Sequence, residues 1–131
     1  MEHLVDLSAL KDLAGPRPSP GLLDWAGRVS RVHLSALTLE EMESWLGARP
    51  VARLREWLDG FLERHVEVVP VDADIARRAG EMRGWLLARG ESRTRATVLV
   101  AATAAQRSLT LVTRTPRAFA GLGVAVLDPG A

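Results

Sequence analysis

Two acidic side chains follow two predicted strands in the first third of the chain. Asp6 ends a short apolar run, residues 3–6, and Glu41 lies in the first turn of a helix that is predicted to begin at Thr38, just after a second strand at residues 32–36. In a parallel sheet, ligands collect at the carboxyl ends of the strands. Both carboxylates are therefore expected at the same edge of the sheet, which is where a binding site is predicted.

Each of these acids also has a purely structural interpretation. Asp6 is placed to cap the helix that follows it, since aspartate is favoured at helix N-termini. Thr38 and Glu41 have the S/T-x-x-E spacing of a capping box, in which the two side chains satisfy free backbone N–H groups. A capping role and a role in a site can coexist.

Several other classes of site are not expected. The chain has no cysteine, which excludes disulfides, thiolate metal sites and cysteine nucleophiles. His3, His33 and His65 are scattered without metal-ligand spacing. Gly121 and Gly123 form a Gly-Leu-Gly turn that lacks the G-x-G-x-x-G pattern of dinucleotide-binding loops.

Composition favours one globular domain spanning residues 1–131. Of these residues 47% are hydrophobic and 25% are charged. The net charge of +1 is too balanced for a broad nucleic-acid-binding surface, so any such contact must come from a local patch. The longest apolar run, residues 96–105, is half the length that a membrane helix needs, and the N-terminus lacks the basic region of a secretory signal. A cytoplasmic protein is expected.

Strands and helices alternate along the sequence. Gly47 and Pro50 are predicted to end the third helix, Pro70 to mark the end or edge position of a strand, Asp72 to cap the fifth helix and Gly90 to close it. The pattern predicts a parallel sheet flanked by helices. The predicted strands cover residues 3–6, 32–36, 66–71, 109–113 and 124–127, and the helices cover 7–13, 22–26, 38–47, 51–64, 72–90 and 96–106.

Four segments, in their order and spacing, carry a family resemblance. They are HLVDLSAL, LSALTLEEM, VDADIARRAGEMRGWLLARG and TVLVAATAAQRSLTLVTRTPRAFAGLGVAVLDP. Together they resemble the PIN domains, specifically the VapC-type ribonuclease toxins of bacterial toxin–antitoxin pairs, nearly end to end. The resemblance implies a three-layer α/β/α fold with a central, mostly parallel sheet.

The resemblance also implies a reaction. In this family three or four carboxylates at the sheet edge hold one or two Mg²⁺ or Mn²⁺ ions, which position and activate a water that hydrolyses an RNA phosphodiester. The family's first two acids fall on Asp6 and Glu41, which are therefore expected to bind the metal and to be catalytic. Ser8 is expected to orient Asp6 through a hydrogen bond.

The sequence departs from the family pattern at the other two acids. The third falls on Thr97, and the fourth falls on Ala118 or nearby Thr115. With two of four acids missing, we expect impaired or absent nuclease activity and a metal that is weakly held or absent. Two substitutes are open: Glu91 could supply a carboxylate, or an arginine could replace the charge of the metal.

Candidate substrate and partner contacts complete the prediction. Arg93, Arg95 and Arg114 are expected near the site, where they would contact RNA phosphates or pair with the acids. Helices bearing Trp45 and Trp57 carry more apolar bulk than one core stripe needs. Because family members dimerise and bind an antitoxin across such helices, an antitoxin partner and a homodimer are expected.

Two alternatives remain open at this point. The first is a non-catalytic module that keeps the PIN fold and binds an antitoxin-like peptide, a second copy of itself, or RNA. The second is a flavodoxin-like or receiver-like domain. The sequence has no phosphate-binding glycine loop, and no acidic triplet with a matching lysine, to favour it.

Overall fold

The fold is built on five parallel strands in the order β3-β2-β1-β4-β5. A computed structural model describes residues 2–49 and 51–131. The parallel sheet that the sequence predicts is thus confirmed, and β3, which precedes Pro70, lies at an edge as predicted. The strands are β1 His3–Val5, β2 Val32–Ser35, β3 Val66–Val69, β4 Thr110–Val112 and β5 Val126–Leu127.

Within residues 2–49 and 51–131, six α-helices and one short 3-10 helix connect the strands. The third helix ends at Gly47, as expected, whereas Pro50 lies outside the described residues. The 3-10 helix, Pro116–Phe119, was not predicted from the sequence. The α-helices are α1 Leu7–Ala14, α2 Pro20–Arg28, α3 Ala36–Gly47, α4 Ala52–His65, α5 Ala73–Ala88 and α6 Arg95–Arg107.

Neighbouring residues of the central strand point to opposite faces of the sheet and so build two cores. Val5 packs among buried side chains of α1, α2, α3 and α4. Leu4, one residue earlier, packs among those of α5 and α6. The result is the three-layer α/β/α arrangement that the resemblance implies.

Helix α6 is apolar almost all round because it lies inside the molecule. Thr94 caps it by accepting a hydrogen bond from the Thr97 backbone N–H at 3.1 Å, and six of its residues from Val98 onward are buried. Helix α5 covers it and is capped by Asp72, as predicted. This packing fixes the N-terminal end of α6 against the carboxyl ends of the strands, where the candidate site lies.

The start of α3 differs from the prediction. The helix begins at Ala36, and its cap is Ser35, whose hydroxyl accepts a hydrogen bond from the Leu37 backbone N–H at 3.1 Å. The proposed capping box of Thr38 and Glu41 is therefore wrong. Strand β2 ends one residue earlier than predicted, so Ser35 takes the extended capping conformation and Glu41 moves to the second turn.

Candidate functional site

A cavity of about 350 Å³ lies at the carboxyl ends of the strands. Its walls come from the first turns of α1, from α3, from the N-terminal end of α6 and from the segment that follows β4. Asp6 and Glu41 both line it, as the sequence predicts. Residues 35 positions apart in the chain are therefore brought to one pocket by the parallel pairing of β1 and β2.

Asp6 is held firmly in place and is only 5% exposed. Its Oδ1 accepts hydrogen bonds from the Ala9 backbone N–H at 3.0 Å and from the Ser8 hydroxyl at 2.7 Å. The structure thus confirms that Asp6 caps α1. A metal-binding role for Asp6 stays a prediction, and one of its two carboxylate oxygens is already engaged.

Ser8 donates a hydrogen bond to Asp6, as expected from the sequence. Its hydroxyl oxygen also accepts a hydrogen bond from the Arg114 backbone N–H at 2.9 Å and lies 3.2 Å from the Thr113 hydroxyl. Ser8 therefore joins the start of α1 to the end of β4. This link fixes the Asp6 carboxylate relative to two strands of the sheet.

Glu41 is half-buried in the cavity wall, and its pKa is raised. Burial is the main cause, and the negative charges of Glu40 and Asp6 add to it. The Lys11 ammonium acts in the opposite direction. The carboxylates of Glu41 and Asp6 therefore repel each other across the cavity.

The positions at which the family resemblance implies further acids face the same cavity. Thr97, Thr115 and Ala118 all line it. Thr97 receives a hydrogen bond from the Thr94 hydroxyl at 2.9 Å, so its own oxygen belongs to the cap of α6. These three side chains add hydroxyl and methyl groups to the pocket, and no negative charge.

Two of the arginines expected near the site, Arg93 and Arg114, do not line the cavity itself. Arg93 donates hydrogen bonds to the backbone carbonyls of Ala118 and Ala120 at 3.3 and 2.9 Å, so it stabilises the 3-10 helix and the residue that ends it. The guanidinium of Arg114 pairs with Asp12 and Asp128. Both guanidinium groups are therefore occupied by other protein groups, and neither guanidinium pairs with Asp6 or Glu41.

Arg95 and Glu91 were expected to supply a substitute charge inside the cavity, and the structure places neither side chain there. Arg95 is exposed, although it lies in the chain between two cavity residues, Thr94 and Ala96. Glu91 is exposed and lies 3.8 Å from the guanidinium of Arg93. Neither residue lines the cavity, so neither fills the place of a missing acid.

Lys11 is the cavity residue that sequence reasoning missed. Among the described residues that line the pocket, it is the one with a cationic side chain. The available signal was its spacing, because Ser8 and Lys11 are three residues apart and so share a face of α1. The cation expected from an arginine is therefore supplied by a lysine from another element.

The donor set does not fit the multi-carboxylate ion centre that the resemblance implies. Within residues 2–49 and 51–131, no three His, Cys, Asp or Glu side chains converge in a way that would hold a metal ion. The cavity offers two carboxylates, one of them partly engaged by a helix cap, beside an ammonium group. Mg²⁺ is commonly held by one or two protein carboxylates, with water and substrate oxygens completing its shell, so this pair fits at most one weakly held ion, and the Lys11 ammonium competes with it.

A second, apolar groove of about 230 Å³ opens between α2 and α4. It is lined by Leu13, Trp25, Trp57 and Phe61, with Leu23, whose side chain is 54% exposed, at its margin. Trp57 and Phe61 stack with ring centroids 4.9 Å apart. A rigid aromatic wall of this kind is typical of surfaces that receive apolar side chains.

Comparison with known proteins identifies relatives across the whole fold. No family model matches the sequence. The chain is 26% identical to Toxin FitB of Neisseria gonorrhoeae and 25% identical to VapC ribonuclease Y4jK of Sinorhizobium fredii, each over 134 residues that cover 96% of both chains. Among solved structures, FitAcB from Neisseria gonorrhoeae superposes with a TM-score of 0.80 at 26% identity, covering 97% of both chains.

These comparisons support a VapC-type PIN domain. The fold matches in a further structure, DNA-bound VapBC from Salmonella typhimurium, which superposes with a TM-score of 0.85 at 23% identity over 98% of both chains. The PIN-like α/β/α fold is thereby confirmed. None of the helices in the described ranges has both the length and the apolar character to cross a membrane.

Proposed function

We propose that this protein is the toxin-type member of a toxin–antitoxin pair whose ribonuclease site is impaired, and that residues 1–131 form a single PIN-like domain in the cytoplasm. The observation that carries the proposal is the content of the cavity. Asp6 and Glu41 line it together with Thr97 and Ala118, and the last two stand where the resemblance implies acids. On this proposal the scaffold of the site is kept, while half of the negative charge that the resemblance implies is missing.

Charge balance supports impairment. About four positive charges of two divalent ions would face two carboxylates and a lysine, which leaves the ions without neutralisation. Loss of a metal ligand or of the group that orients it commonly costs about 10–100-fold in affinity or activity. Two losses in one site, with Lys11 added, should be more severe.

RNA remains the proposed substrate class for whatever activity persists. Asp6 and Glu41 would be the catalytic and ion-binding carboxylates, and Ser8 would keep Asp6 in position through the bond described above. Arg95, exposed next to two cavity residues, is the proposed contact for an RNA phosphate. Arg93 is held by the Ala118 and Ala120 carbonyls and Arg114 by the Asp12 and Asp128 carboxylates, so both would act by stabilising the surroundings of the cavity.

Partner binding is proposed at the apolar groove between α2 and α4. The solved structures of similar fold include a toxin-antitoxin complex from Klebsiella pneumoniae and VapBC-5 from Mycobacterium tuberculosis, a member of the VapBC family of toxin-antitoxin systems. The groove is apolar, has an aromatic wall and leaves Leu23 exposed at its margin. An antitoxin segment with an apolar helix face fits this surface, and pairing with a second copy of the chain is proposed elsewhere on the helices.

An RNA cleavage assay tests the catalytic part of the proposal. We expect weak or no cleavage by the wild type and restored cleavage by the Thr97→Asp/Ala118→Asp double variant. The matched control is Thr97→Asn/Ala118→Asn, which has similar shape without charge, and Asp6→Ala should abolish any cleavage that is gained. Robust wild-type cleavage that Asp6→Ala removes would refute the impairment.

A different result would favour the alternative function. If neither the wild type nor the double aspartate variant cleaves RNA, while both bind their partner, the non-catalytic PIN-fold module is favoured. Two observations support it: the apolar groove between α2 and α4, and the lack of a metal-binding cluster among the described residues.

The partner is tested by coexpression with the product of a small adjacent reading frame. Leu23→Asp places a charge at the groove and should weaken the complex at least tenfold. Leu87→Asp is the control, because Leu87 is similarly exposed, at 63%, but lies on α5 outside the groove. Equal weakening by both variants would refute the groove as the docking surface.

The proposed homodimer is tested separately, by light scattering of the free chain.

A further inference from the structure

Lys11 is the chain's single lysine, and it lies in the candidate site. It follows Asp6 by five residues on α1, and its side chain is half-buried in the cavity wall. The other 16 basic residues of the chain are arginines, and none of those in the described ranges lines this cavity. The charge at this position is therefore a specific feature of the pocket.

Trp45 holds the ammonium of Lys11 beside Glu41. The Lys11 Nζ lies 5.3 Å from the centroid of the Trp45 ring, within the range of a cation–π interaction. Trp45 follows Glu41 by four residues on α3, so the two side chains share one face of that helix. The Lys11 ammonium therefore lies against a helix face that presents an aromatic ring, Trp45, and a carboxylate, Glu41, one turn apart.

The Lys11 ammonium acts electrostatically on one of the two cavity carboxylates, Glu41. Lys11 is a positive charge close enough to Glu41 to oppose the effects of burial, Glu40 and Asp6. With Asp6 and Glu41 ionised, the charged side chains that line the pocket carry a formal charge of −1, whereas the two carboxylates alone would carry −2. Lys11 thus cancels half of the charge that would attract a divalent ion.

We propose that Lys11 is the built-in counter-ion of the Asp6–Glu41 cavity and that it keeps divalent cations out of it. An ion entering between the carboxylates must displace the ammonium from Trp45 and Glu41, or bind beside a like charge. This inference rests on the proposed function only for the choice of Mn²⁺ as the competing ion. Lys11 acts as a positioning and selectivity residue, distinct from the missing acids.

Calorimetric titration with Mn²⁺ tests the inference on the full chain. Lys11→Met removes the charge and keeps an unbranched apolar side chain on Trp45. We expect it to bind Mn²⁺ at least tenfold more tightly than the wild type, and Lys11→Arg to bind like the wild type. Adding Asp6→Ala to Lys11→Met should abolish the gain, which assigns the ion to the cavity.

Arg49→Met is the matched control. The Arg49 guanidinium also lies over the Trp45 ring, 5.0 Å from its centroid, but Arg49 does not line the cavity. We expect wild-type affinity for this variant, and thermal unfolding verifies that each variant is folded. Lys11→Met that binds Mn²⁺ no more tightly than the wild type, or an equal gain in Arg49→Met, overturns the inference.

The outcome is separable from that of the proposed function. If the aspartate double variant recovers cleavage and the partner binds, but Lys11→Met shows no gain in Mn²⁺ affinity, only the role of Lys11 fails. If Lys11→Met gains affinity while no variant cleaves RNA and no partner binds, the role of Lys11 stands and the toxin–antitoxin proposal fails.

Discussion

Arg114 Nε donates a hydrogen bond to Asp12 Oδ2 at 3.1 Å, across 102 residues of sequence. The same guanidinium pairs with Asp128, so one side chain joins the end of β4, α1 and the C-terminal segment. Burial alone would raise the pKa of Asp12, but the Ser19 hydroxyl and backbone N–H, followed by the Arg114 charge, outweigh it and lower that pKa. The loop between α1 and α2 is thereby tied to the sheet next to the candidate site.

The first prediction concerns this ion-pair network. Arg114→Met leaves two carboxylates, only 18% and 16% exposed, without their counter-charge. Since an uncompensated, largely buried charge is costly, we expect the free energy of unfolding at pH 7 to fall by roughly 1–3 kcal/mol, a value reduced for the remaining solvent exposure. Urea unfolding followed by circular dichroism measures the change.

Arg28→Met is the control for Arg114→Met. Arg28 pairs with Asp24 on α2, with both side chains about 70% exposed. Such an exposed pair contributes about 0.3–0.5 kcal/mol. Similar losses in the two variants would contradict the conclusion that Arg114 organises this part of the fold.

The second prediction concerns a buried hydroxyl on α3. Thr38 is fully buried, and its Oγ1 has no hydrogen-bond partner among the described residues. Thr38→Val replaces the hydroxyl with a methyl group of similar size and should stabilise the protein by about 1 kcal/mol. Thr103→Val is the comparison, because the equally buried Thr103 hydroxyl donates to the Leu99 carbonyl at 2.8 Å.

Thr103→Val should be neutral or destabilising by up to about 1 kcal/mol, since a hydrogen bond is lost. The two variants are compared by urea unfolding under identical conditions. An equal loss of stability in Thr38→Val and Thr103→Val would contradict the conclusion that the Thr38 hydroxyl is unpaired.

Thr38 also shows where sequence reasoning about local structure failed. Asp72 and the apolar pattern that follows it predicted α5, because its cap and its buried face give the same signal. At α3 two candidate caps, Ser35 and Thr38, lie three residues apart. The end of β2 decides between them, and the exact end of a strand depends on pairing with neighbouring strands, which local spacing does not contain.

Some features of the candidate site could be predicted from the sequence and others could not. The positions of Asp6 and Glu41 at one edge could be predicted, because parallel strands bring their carboxyl ends together. The partners of Arg114 could not, since its carboxylates are 102 and 14 residues away and are selected by tertiary packing. The spacing of Ser8 and Lys11 could have placed Lys11 on the face of α1 that lines the cavity, but its contact with Trp45 joins two helices and could not be predicted.

The third prediction separates the capping role of Asp6 from its charge. Asparagine caps helices about as well as aspartate, so Asp6→Asn should keep stability within about 0.5 kcal/mol, whereas Asp6→Ala should lose about 1–2 kcal/mol. Asp72→Ala at the cap of α5 is the control for loss of a cap away from the cavity. Chemical unfolding measures all three variants, and wild-type stability of Asp6→Ala would contradict a capping contribution.

The fourth prediction uses the raised pKa of Glu41. A carboxyl whose pKa is higher in the folded than in the unfolded state favours folding when protonated, and this advantage is lost as the pH rises through the folded-state pKa. The ionised Glu41 therefore costs stability at neutral pH. Glu41→Gln removes that charge and should make the protein more stable than the wild type at pH 7.

The gain from Glu41→Gln should disappear as the pH falls below 4.5, the ordinary pKa of this carboxyl, because both side chains are then uncharged. Urea unfolding of the two proteins at pH 7 and pH 4, with a series of pH values between them, measures the difference. Glu63→Gln serves as the control, since Glu63 is exposed on α4 and lies outside the cavity. A Glu41→Gln protein that is less stable than the wild type at pH 7 would mean that attraction to Lys11 outweighs burial and the repulsion from Asp6.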